Sequence, residues 1–202
     1  MLAFVRGRQG TSGRKLRLFA CACCRRIWPL LRDERSSSAV EVAEQFADGG
    51  ATEDELVRTW RKAEGACDTV ARYAGRSYQF AALAACAFVE DSRHWAPHFR
   101  GWQDAAEATS DKASEYRAQA GFVRDIFGPL PFRQVRVEPA WLTKNVIDLA
   151  CTIYELCAFD RLLILADALL DAGCNDETML DHCRQVGHVR GCWVVDLLLG
   201  KV

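Results

Sequence analysis

A chain of 202 residues, 50% hydrophobic and 26% charged with a net charge of −1, is long enough for a sizeable core and too apolar to be read as disordered or collagen-like. No apolar run approaches the roughly 20 residues that span a bilayer, and Arg17 and Arg25 bracket "LFACACC" too closely for a secretion signal. The reading is therefore a cytoplasmic protein with no membrane partner, whose ten cysteines are thiols or metal ligands rather than a disulfide framework.

Helical periodicity dominates from the start. Over about 15 to 31, Leu16, Phe19, Ala20, Cys23, Ile27 and Leu30 form one stripe, while Cys21 and Cys24 share a different flank. A second helix is expected over about 37 to 47, stopped by Gly49 and Gly50. Thr52 and Glu55 have the spacing of a capping box and open a third helix, with Leu56, Trp60, Ala63 and Cys67 on its stripe. A fourth covers about 77 to 91, and an alanine-rich fifth about 103 to 127. Pro129 and Pro131 bar a helix through "GPLPFRQVRV", where residues 132 to 137 read as a short extended segment. Helices resume over about 140 to 157, 160 to 172, 176 to 184 and 191 to 199. The expectation is an all-α bundle or array of eight to nine helices in a single domain over residues 1 to 202, with an internal junction near 128 to 138. Its core should include Leu16, Phe19, Ile27, Leu56, Trp60, Leu149, Ile153, Leu165, Leu169, Val195 and Leu198.

Several strings together, "RKLRLFACACCRRIWPLL", "RDIFG", "PAWLT", "AFDRLLILADALLDAGC" and "HVRGCWVVDLLLGK", resemble a large family of paralogous proteins in planctomycete bacteria. The resemblance covers nearly the whole chain apart from about 60 to 118. It implies no activity.

The chemistry-bearing residues are mostly sulfur. Cysteine is a small, readily buried hydrophobe, and Cys23, Cys67, Cys86 and Cys151 fit that role. Zinc is the alternative cofactor, because Cys21 and Cys24 lie at i, i+3 and Cys183, His188 and Cys192 give the spacing C-x4-H-x3-C. One tetrahedron from both segments requires the first helix to pack near the last two. A nucleophilic thiol needs a lowered pKa, for which the helix interior is the wrong place. His94 and His98 sit in a proline-broken loop with no nucleophile beside them, and no phosphate-cradling or zinc-protease motif is present. Asp160, Asp167 and Asp171 share one face by spacing and are expected to solvate it.

Charge is unevenly placed, with nine Lys/Arg against two acids up to Arg35 and 17 against 25 thereafter. Such a basic end serves either to dock on an acidic body or to meet nucleic acid, with Arg6, Arg8, Arg14, Lys15 and Arg17 as the candidate phosphate contacts. The favoured reading is a non-enzymatic helical interaction or scaffold module with a protein partner. A zinc-stabilised or nucleic-acid-contacting accessory protein, and then an enzyme, are the alternatives.

Overall fold

The computed structural model describes residues 12–73, 75–89, 101–129 and 135–201. Ten α-helices and no strands are found among them. The helices are α1 (Gly13–Arg26), α2 (Glu34–Ala47), α3 (Glu53–Tyr73), α4 (Arg76–Val89) and α5 (Gly101–Ala108), then α6 (Lys112–Phe127), α7 (Lys144–Glu155), α8 (Leu162–Asp171), α9 (Glu177–Cys183) and α10 (Trp193–Leu198). No helix among these residues is long and apolar enough to cross a membrane. The all-α expectation holds. Residues 135 to 138 carry no regular structure, and the rest of the expected extended segment lies outside the described residues.

The chain divides into two compact units, one of residues 12–119 and one built on residues 120–202. The division falls inside α6, ahead of the junction expected near 128 to 138 within one domain.

In the amino-terminal unit, α1 packs against α2, α4 and α5. Ser12 starts it, its hydroxyl accepting the Lys15 N–H at 3.2 Å, and the Trp28–Leu30 turn with Pro29 stops it. Neighbours on several sides explain why the whole run from Arg17 to Cys24 is buried, not just one stripe. Alanine and cysteine are small enough to let helices approach there. The basic character of α1 is matched within the unit: Arg14 pairs with Asp48 at 3.1 Å, Arg25 with Glu44 at 2.6 Å and Arg26 with buried Glu115 at 2.7 Å.

The Thr52 and Glu55 capping box forms as expected, with Thr52 N–H donating to Glu55 at 2.7 Å and Glu55 N–H donating to Thr52 at 3.3 Å. The single fifth helix expected over 103 to 127 is instead α5 and α6. Asp111 accepts the Ser114 N–H at 3.0 Å and so caps a new helix where "TSD" interrupts the alanines.

In the carboxyl-terminal unit, α7 packs against α8 and α10, α8 against α9, and α9 against α10. Thr143 caps α7 through the Val146 N–H at 3.3 Å, and Asp176 caps α9 through the Met179 N–H at 3.0 Å. Ile153, Leu165, Leu169, Met179, Val195 and Leu198 fill the core between them. Among the expected core residues, Leu16, Trp60 and Leu149 are only half-buried; the other eight are buried.

Candidate metal centre

Four side chains of the carboxyl-terminal unit meet at one point. Asp125 lies in the last turn of α6, His182 near the end of α9, His188 in the connection after it, and Cys192 at the cap of α10. One potential ligand atom from each falls within 4.8 Å of all the others. The connection turns sharply enough to return His188 to His182 because Gly187 adopts φ +87°, a left-handed conformation costly for other residues.

Each imidazole contacts both the carboxylate and the sulfur. His182 Nε2 lies 3.0 Å from Asp125 Oδ1 and 3.3 Å from Cys192 Sγ. His188 Nδ1 lies 2.6 Å from the same Oδ1 and 3.9 Å from the same Sγ. A tetrahedral zinc with bonds of about 2.0 to 2.3 Å separates its ligand atoms by about 3.3 to 3.7 Å. The observed edges bracket that value.

Second hydrogen-bond partners fix two of the four side chains, His188 and Asp125. The Gln185 carbonyl, which only accepts, lies 3.0 Å from His188 Nε2, so this nitrogen carries the proton and Nδ1 is turned to the centre. Asp125 Oδ2 accepts the Val189 N–H at 2.8 Å, which leaves Oδ1 for the centre. An imidazole whose far N–H is held by a carbonyl, beside a carboxylate anchored through its other oxygen, is the arrangement that orients ligands around metals. Trp193 lies against the His182 ring with centroids 5.1 Å apart.

A carboxylate oxygen and a bare imidazole nitrogen 2.6 Å apart repel, so a cation belongs between them, either a proton or a metal. Burial of the Asp125 carboxylate opposes its charge, yet the hydrogen bonds from His182 and His188 and the nearby His188 outweigh this and hold it below the usual carboxylate range. Burial, followed by the charge of Asp125, pushes the Cys192 thiol well up, although the amides of Val195 and Val194 oppose this. Without a metal the sulfur is thus an S–H group. A bound divalent cation removes that proton, as it does for any coordinating thiol.

The same geometry argues against a Cys-His-Asp catalytic relay. In a relay the imidazole uses one nitrogen for the nucleophile and the other for the acid. Here each ring offers a single nitrogen to both Asp125 and Cys192. The side chains of Asp125, His182 and His188 are 6%, 10% and 3% exposed, which leaves no room for a substrate at the sulfur.

Of the five expected zinc ligands, His188 and Cys192 belong to the cluster. Cys183 sits instead in the apolar core, where burial pushes its thiol up to about 12. Cys21 and Cys24 are buried in the other unit; the Cys21 thiol donates to the Val40 carbonyl at 3.8 Å, and Cys24 has no exposed surface. The cluster takes Asp125 and His182 in their place. His182 was legible in the spacing H-x5-H-x3-C, whereas Asp125, 63 residues before His188, had no local signal.

Among the candidate phosphate contacts, Arg17 is 1% exposed with its guanidinium 4.9 Å above the Phe46 ring, so it is not presented to a phosphate. Arg14 is held by Asp48 and Lys15 is half-buried; Arg6 and Arg8 lie outside the described residues. The loop holding His94 and His98 lies outside them too, while Cys86 falls within α4. Comparison with protein-family models, curated proteins and solved structures finds no match to this chain.

Proposed function

We propose that the protein is a non-enzymatic, cytoplasmic helical interaction module whose carboxyl-terminal unit is held together by one zinc ion. The observation that carries the metal is the convergence of Asp125, His182, His188 and Cys192, one potential ligand atom of each lying within 4.8 Å of all the others. Zinc suits this mixed O, N and S set, accepts a tetrahedron without electronic preference, and is neutralised by one carboxylate and one thiolate. Four protein ligands in a closed, buried shell leave no open position, which is the design of a structural rather than a catalytic zinc. Its role is to tie the short helices α9 and α10 to the end of α6.

Metal analysis of the purified chain tests the reading. About one zinc per chain is expected, and a strong chelator should lower the melting temperature, because metal binding adds to folding free energy. His188→Ala should lose the zinc, while Cys183→Ala should keep it. Protein that carries no metal after growth in zinc-supplemented medium, and that melts identically with and without chelator, overturns the proposal.

A further inference from the structure

One surface of the carboxyl-terminal unit combines apolar exposure with unmatched charge. Helix α8 buries Leu162, Leu165, Ala166, Ala168 and Leu169 against the core. On its other side Leu163 and Ile164 are each 56% exposed and Leu170 44%, a large apolar display for a helix of ten residues. At 100° per residue, Leu163 and Leu170 form one row and Ile164 lies across the face. Between them run Asp167 and Asp171, with Asp160 just before the helix; all three are exposed. None of the three carboxylates has an ion pair among the described residues, in contrast to the paired acids around α1. Arg161 is the exposed cation beside them.

We infer that this face of α8 docks a cationic amphipathic helix of a partner protein, and the inference rests on the reading of the chain as an interaction module. Charge complementarity selects the occupant. An acidic ridge flanked by leucine and isoleucine repels an anionic lipid surface or a nucleic acid and accepts Lys or Arg side chains between apolar contacts. The row from Leu163 to Leu170 is about 10 Å long, which matches two turns of a partner helix with apolar residues at i, i+3, i+4 and i+7. A second copy of the same face is disfavoured, since it sets three carboxylates against three.

The test is a fluorescence titration of the zinc-containing protein with a synthetic 14-residue peptide of leucine and lysine in amphipathic helical spacing. Saturable binding is expected that weakens at least tenfold in the combined variant Asp160→Asn, Asp167→Asn, Asp171→Asn, and again in Leu163→Ser with Leu170→Ser. A peptide of equal charge with serine for leucine should not bind. Helical circular dichroism and zinc content are read on every variant, so that loss of the face is separated from loss of the fold and from failure of the metal reading. Binding that both variants leave unchanged overturns the inference. So does self-association abolished by Leu163→Glu, which assigns the face to a second copy, and so does peptide binding seen only after residues 1 to 11 are removed, which assigns it to the chain's own basic arm.

Discussion

A thiol is defined by what surrounds it, and cysteines of similar burial in this chain differ for that reason. Cys23 and Cys24 are enclosed by packed helices; burial first, then nearby Glu115 and Cys21 for the one and Cys21 and Cys23 for the other, hold both thiols well above their ordinary value. They are inert packing. Cys192 is just as enclosed but faces two imidazole nitrogens and a carboxylate oxygen. Replacing zinc with cobalt separates these roles, because only a coordinating sulfur gives a thiolate-to-cobalt charge-transfer band. The band is expected in the native chain, absent in Cys192→Ser, and unchanged in Cys24→Ser. A band that survives Cys192→Ser would remove the sulfur from the centre.

At the scale of elements, the amphipathic stripe gives the position of α1 only in part. Cys21 and Cys24 lie off the stripe and require a second neighbour, which the sequence alone suggests is the carboxyl-terminal "HCRQVGHVRGCW". For Cys21 the neighbour is α2, through the Val40 carbonyl. The junction after α6 has its own requirement. Gly128 adopts φ +88°, and a side chain built there would meet the Trp193 ring at 3.6 Å. The 3.6 Å contact is an ordinary one, so the strain comes from the backbone: at φ +88° a side chain is disfavoured. The turn that must relax lies against Trp193, which leans on His182, so Gly128→Ala should cost about 1 kcal/mol or more in stability and loosen zinc as well. Chemical denaturation and a competitive zinc titration measure the two effects. A variant that loses stability but binds zinc with native affinity would show that the turn does not support the centre.

For the whole molecule, the expectation is that zinc matters regionally. Removing it with chelator should raise amide hydrogen exchange in α9, α10 and the connection between them, where short helices depend on the shared ligands. Exchange in α1 and α2 should stay unchanged, since their cohesion comes from buried apolar residues and the pairs Arg14–Asp48 and Arg25–Glu44. Uniform acceleration along the chain would mean that the metal supports global folding.

Helix identity was legible because it is local. The Thr52 and Glu55 box, the glycine stops and the three- and four-residue spacing act within a few turns, and the elements formed where those signals placed them. The split between α5 and α6 was written in the sequence as "TSD", but the alanine-rich periodicity on both sides outweighed a single cap. Three of the four centre residues also share one short segment, yet the ligand spacing read from sequence takes only His188 and Cys192 from it and chooses Cys183 over its neighbour His182. Tertiary structure alone decided the rest. Which helices surround α1, and that Asp125 rather than Cys21 or Cys24 completes the centre, depend on contacts between residues far apart in the chain. Such contacts leave no periodic trace, because they arise from how finished helices pack and not from the spacing that forms them.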